Sequence, residues 1–133
     1  MTRNQPGILV VEDFSGIRRL LDIALRQCGF AVWVAVDGLE ALHLYEQHRE
    51  FIDVVLIDVQ LDEMDGLDTL AALQSLNPDV RCCFMSGNPG HYTEKQFRAR
   101  GAAFIWKPFR LTDLFKLLRQ LIDGCSPADA DKC

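Results

Sequence analysis

Basic clusters are missing from this sequence, and so are long apolar runs, paired-cysteine motifs and glycine-rich phosphate loops. The formal net charge is −5, with the acids spread along the chain. That disfavours nucleic acid as a direct partner, because phosphate backbones attract clustered Lys and Arg. No run approaches the about 20 apolar residues that span a bilayer, and Met1–Pro6 is polar. Neither a membrane span nor a secretory signal is therefore expected, and the cytoplasm is the expected address. The five cysteines (Cys28, Cys82, Cys83, Cys125 and Cys133) are odd in number and contain no CxxC pair. A disulfide framework or common zinc site needs the opposite pattern, so all five read as reduced thiols. Cys133, in the polar tail, is the most open to chance reaction. His43, His48 and His91 share no ligand spacing and are expected at the surface. No GxGxxG follows the first apolar run, which removes the dinucleotide fingerprint.

What is present fits one domain. The chain has 133 residues, 49% of them hydrophobic and 25% charged, enough for a buried core in an ordinary surface. Ile8–Val11, Val54–Ile57, Cys82–Met85 and Ala103–Trp106 are short continuous apolar runs, and Ala31–Val36 is nearly as apolar. Such runs, rich in β-branched and aromatic residues, predict strands buried on both faces of a parallel sheet. Helical spacing lies between them. Ile17, Leu20, Leu21, Ala24 and Leu25 form one stripe, closed by Gly29. Asp37 with Glu40 resembles a capping box opening a helix that carries Leu39, Leu42 and Tyr45 inward. Gly66–Ser75 carries Leu67, Leu70, Ala71 and Leu73, and Pro78 blocks its extension. The stretch around Tyr92–Arg100 is the weakest helix, with little beyond Tyr92 and Phe97 facing inward. The strongest stripe is Leu111, Leu114, Phe115, Leu118, Leu121 and Ile122. Alternation of strands and helices implies βαβ units with right-handed crossovers. Trp33 and Trp106 read as packing residues.

Polar residues gather at the carboxyl ends of the predicted strands. Glu12 and Asp13 follow the first, Asp58 the third, Ser86 the fourth and Lys107 the fifth. Open α/β sheets bind ligands outside those ends, where strand order reverses. In the doubly wound order 2-1-3-4-5, taken from such folds in general, the reversal lies between strands one and three, so the three acids converge. Three clustered carboxylates repel one another, and Lys107 alone does not balance them. A hard divalent cation such as Mg2+ would, using one or two carboxylates, waters and phosphate oxygens. Carboxylates also serve as phosphoryl acceptors, and a metal, a lysine and a hydroxyl would neutralise the moving group.

Four motifs carry a family resemblance: VVED at Val10–Asp13, LIDVQLDEMDG at Leu56–Gly66, MSG at Met85–Gly87 and WKPF at Trp106–Phe109. Across Gly7–Asp123 the chain resembles the receiver domains of two-component response regulators. The resemblance implies a flavodoxin-like five-stranded parallel sheet, order 2-1-3-4-5, with helices on both faces. It also implies a phosphorelay switch, not a turnover enzyme, fed by a histidine kinase or histidine phosphotransfer protein. Asp58 would be the phosphoacceptor. Asp13, with Glu12 helping through water, would hold Mg2+ together with Asp58 and the backbone carbonyl of Gln60. Lys107 and Ser86 would bind phosphoryl oxygens, with Gly87 leaving room. Phe104 would be the aromatic switch that turns inward when Ser86 moves. Gln60 and Asn88 would tune the lifetime of the phosphorylated form, and Lys107–Pro108 is a candidate cis peptide. The fourth helix, fifth strand and fifth helix would meet a downstream protein, or a second copy in a homodimer. Met1–Pro6 would be an extension and Gly124–Cys133 a disordered polar tail.

The sequence departs from its relatives in two places: Leu61-Asp62, followed by Glu63, replaces the usual Met-Pro, and Phe104 lacks the hydroxyl of tyrosine. Three rival readings are weaker. Asp13 alone could be a helix N-cap. A haloacid-dehalogenase-type phosphatase would need a second aspartate where Gln60 stands, and its nucleophile on the first strand. A degenerate, constitutively binding receiver would have lost the acids or the lysine.

Overall fold

Five strands and five helices alternate along the residues described by the computed structural model, 5–59, 64–87 and 94–124. They are β1 (Gly7–Val11), α1 (Ser15–Gln27), β2 (Ala31–Ala35), α2 (Gly38–His48) and β3 (Val54–Asp58). Then come α3 (Gly66–Leu76), β4 (Cys82–Ser86), α4 (Glu94–Ala99), β5 (Ala103–Trp106) and α5 (Leu111–Ile122). All strand pairs are parallel, in the order β2-β1-β3-β4-β5. The expected fold is therefore the observed one, with the reversal between β1 and β3.

The two-residue period of the strands sorts the core into two layers. Leu9, Val11, Val55, Ile57, Cys82, Phe84 and Phe104 pack with α2, α3 and Phe97 of α4. Ile8, Val10, Val54, Leu56, Cys83 and Met85 pack with Leu21 and Leu25 of α1 and Leu114, Leu118 and Leu121 of α5. Both cysteines of β4 are buried, which pushes the Cys83 thiol up to about 12 and that of Cys82 still higher. They act as small apolar side chains.

Local chemistry explains the helix ends. The Asp37 side chain accepts the Glu40 N–H at 2.8 Å, and Asp65 accepts that of Asp68 at 2.9 Å. Glu40 reaches back to the N–H of Val36 at 3.0 Å, so the expected box closes one residue early. Gly29 and Gly101 follow α1 and α4 with φ of 92° and 86°, a region that costs glycine nothing.

Several expected orientations are corrected. Leu20 and Leu39, assigned to buried stripes, are 54% and 57% exposed, and Ala71 also faces solvent. The inward face of α2 is Gly38, Ala41 and Tyr45 instead. Trp106 is exposed and donates its indole N–H to Glu94 at 2.9 Å. Trp33 is only half-buried and stacks on His48, which is thereby half-covered. Gly7, given no role in sequence, pairs reciprocally with Asp53, and a Cβ there would collide with the Phe51 carbonyl. Gly124 belongs to the turn closing α5, its N–H bonded to the Leu121 carbonyl. Gln60, Leu61, Asp62, Glu63, Asn88, His91, Tyr92, Cys125 and Cys133 lie outside the described residues.

Candidate functional site

Each acid is carried to one crevice by the end of a strand. Glu12 continues β1, its N–H bonding the Ala35 carbonyl at 3.0 Å, and Asp13 follows in the turn to α1. Asp58 is the last residue of β3. Carboxylate oxygens of Glu12, Asp13 and Asp58 all lie within 4.8 Å of one another. Lys107, just past β5, puts Nζ 3.1 Å from Asp58 Oδ2 and 3.8 Å from Glu12 Oε1. Its own N–H bonds the Ser86 carbonyl at 2.9 Å, which fixes the fourth and fifth strand ends together.

Burial makes this cluster unusual. Glu12 is 1% exposed and Asp58 7%, while Asp13 is half-buried. Neither carboxylate oxygen of Glu12 meets a donor among the described residues, an arrangement that is expensive for a charged group. Burial first, then the neighbouring Asp58 as hydrogen-bond partner and charge, pushes the Glu12 carboxyl up to about 9 from the ordinary 4.5. Lys107 opposes the shift without cancelling it, as expected at 3.8 Å. The proton turns two facing acceptors into a donor–acceptor pair. A divalent cation would do the same work with greater charge, and an oxygen-only donor set of this kind fits Mg2+.

Ser86 and Phe104 lie on the strands expected of them, while Gln60 and Asn88 lie outside the described residues. Ser86 ends β4 and is buried, one residue beyond Met85, the register partner of Asp58. A Cβ on Gly87 would meet Lys107 only at ordinary distances, 3.7 and 3.9 Å, so the expected spatial demand is not visible in this state. The Phe104 ring is already inward, 4% exposed, 5.5 Å from Phe97 and 5.0 Å from Trp106 between centroids. The Lys107–Pro108 peptide is cis. Asp13 does not cap α1: the cap position is Phe14, without a side-chain bond.

Two contributors were not read from sequence. Arg18 donates to the carbonyls of Glu12 and Asp13 at 3.0 and 3.2 Å. Gly66 lets α3 start against the end of β3, where a Cβ would lie 2.9 Å from Phe84 and 3.1 Å from Val59 Cα. The sequence signal for Gly66 was its place in the Asp-Gly step of the second motif. Arg18 carried none.

The sequence profile described as the response regulator receiver domain matches residues 8–119. The chain belongs to this family. It is 33% identical over 121 residues to the sensor kinase CckA of Brucella abortus, covering 87% of this chain and 12% of that one. It is 32% identical over 118 residues to the transcriptional regulatory protein PrrA of Mycobacterium tuberculosis, covering 88% and 50%. The chain thus spans at most about half of these relatives. Among solved structures it is similar to the chemotaxis protein CheY4 of Vibrio cholerae, with a TM-score of 0.78, 28% identity, and 88% and 98% coverage. It is also similar to a CheX–CheY–BeF3–Mg2+ complex from Borrelia burgdorferi, with a TM-score of 0.77, 26% identity, and 84% of each chain covered.

As a receiver domain, the chain belongs to a family of phosphoacceptor switches in two-component signal transduction, which typically use Mg2+ and work between histidine kinases and downstream effectors. Among the described residues, no helix is long and apolar enough to cross a membrane.

Proposed function

We propose that Asp58 accepts the phosphoryl group from a phosphohistidine of a kinase or phosphotransfer protein. The observation that carries this is the acid triad, two of its members buried, gathered around one strand-end aspartate that also touches Lys107. An Asp58 carboxylate oxygen forms the new bond to phosphorus as the nitrogen–phosphorus bond breaks and the imidazole leaves. Lys107 Nζ and the Ser86 hydroxyl hold phosphoryl oxygens as charge develops on them. Asp13, Asp58 and the Gln60 carbonyl, with Glu12 acting through water, are the residues that would hold Mg2+. When bound, the metal neutralises the acids and binds phosphoryl oxygens. Self-phosphorylation and hydrolysis are the only chemistry ascribed to the chain.

The receiver unit runs from Gly7 to Asp123, with Met1–Pro6 and the segment after it as appendages. The donor docks on α1, whose cap residue Phe14 and helical Leu20 and Ile23 are 62%, 54% and 48% exposed. The α4-β5-α5 face, whose elements expose Lys95, Arg98, Trp106 and Lys116, meets the effector or a second copy. Ser86 and Phe104 carry the switch. Since the ring is already inward, the larger movement falls to Ser86 and its neighbours. Gln60 and Asn88 set the lifetime of the phosphorylated form, and a cytoplasmic address follows the family's habit.

Intact mass after incubation with acetyl phosphate and Mg2+ tests the acceptor. The wild type is expected to gain one phosphoryl group and Asp58→Ala none. No gain in folded, metal-supplied wild type would overturn the proposal in favour of constitutive binding.

A further inference from the structure

We infer that Arg18 is a positioning residue for the Mg2+-binding acids, acting through the backbone of the turn between β1 and α1. The inference rests on the metal reading above. That turn carries two of the three acids. The Glu12 N–H is tied to Ala35, while Phe14, the cap position of α1, makes no side-chain cap bond and the first turn of α1 holds no acid. Arg18 lies one helical turn further on, and its backbone N–H bonds the Phe14 carbonyl at 3.0 Å. The half-buried side chain folds back over this turn. A single nitrogen, Nη1, donates to the carbonyls of Glu12 at 3.0 Å and Asp13 at 3.2 Å. Consecutive carbonyls held by one planar, permanently charged group cannot swing independently. The side chains they carry are Glu12 and Asp13, two corners of the triad. Mg2+ tolerates little departure from octahedral geometry, so fixing these acids beforehand strengthens binding.

The sign of the effect separates positioning from plain electrostatics. A cation beside a cation site repels Mg2+, so removing Arg18 for its charge alone would tighten binding. Removing a positioning group loosens it. A residue that merely stabilised the fold would lower the melting temperature and leave the affinity of the folded protein unchanged.

The experiment is calorimetric titration of the full chain with MgCl2, comparing wild type, Arg18→Met and Arg19→Met, with amide exchange at Glu12, Asp13 and Phe14. Arg19 is the exposed neighbour and controls for lost charge. Arg18→Met is expected to bind Mg2+ about tenfold more weakly and to exchange those amides faster. Arg19→Met is expected to bind as wild type or tighter. Unchanged or tighter binding by Arg18→Met overturns the inference, as does equal weakening in both variants. Should Arg18→Met fail to fold, Arg18→Lys takes its place. Its shorter point charge is expected to weaken binding by about threefold, and unchanged affinity and exchange overturn the inference. Wild type that bound no Mg2+ would overturn the metal reading itself, and the inference with it.

Discussion

Glu12 gathers the main electrostatic conflict among the described residues into one side chain: nearly complete burial, no donor from those residues on either oxygen, and Asp58 opposite. Its folded pKa lies above the unfolded one, so the folded state keeps a proton that the unfolded chain has released. The stability contributed is fully present below about 4.5, the ordinary value, and is lost as pH rises through about 9. Metal-free wild type should therefore melt at progressively lower temperature between pH 5 and pH 9, on the order of the titration range just given. Glu12→Gln should flatten that slope and be more stable than wild type at pH 8 by about 1–3 kcal/mol. Calorimetry across pH in the presence of chelator measures both. The acids, Lys107 and Ser86 were legible as residues because their types recur together at strand ends. Their conflict was not, because burial comes from neighbours distant in sequence.

At the scale of elements, α1 shows how periodicity misleads. Its stripe reads as Ile17, Leu20, Leu21, Ala24 and Leu25, yet only Leu21 and Leu25 are buried, and Leu20 and Ile23 face solvent. A helix offers more apolar positions than one sheet face can cover, and hydropathy alone does not say which are left out. The uncovered residues belong to the helix that follows the turn carrying Glu12 and Asp13. Leu20→Ser with Ile23→Ser should change folding stability by no more than about 0.5 kcal/mol per site. The same pair should slow phosphoryl transfer from a phosphohistidine protein about tenfold or more, while the rate with acetyl phosphate stays unchanged. Mass spectrometry of the two time courses, with equal slowing of both, would remove the docking role.

For the whole molecule, chemistry and scaffold sit at opposite ends of the sheet. The acids and Lys107 lie at the carboxyl ends of the strands. At the amino ends, Gly7 and Asp53 pair reciprocally at 2.8 Å, and the Phe51 carbonyl closes over Gly7. Gly7→Ala must displace that carbonyl and press on the Trp33 ring, at a cost of about 1–3 kcal/mol. The melting temperature should fall while the Mg2+ affinity of the folded protein stays within about twofold of wild type, because the two ends share no side chain. A large loss of affinity would mean that the sheet transmits strain along its length.

The alternation of five strands with helices, the parallel sheet and the residue types that close each strand were legible in the sequence, because these follow from local period, propensity and turn chemistry. Val10–Asp13 and Trp106–Phe109 each carried their own meaning before any contact was known. Folding in three dimensions was needed to bury Glu12 with no donor among the described residues, to expose Trp106 and tie it to Glu94, and to bend Arg18 back onto the turn of the acids. Those facts depend on distances between atoms far apart along the chain, or on the path of one flexible side chain. Neither leaves a periodic trace in the sequence.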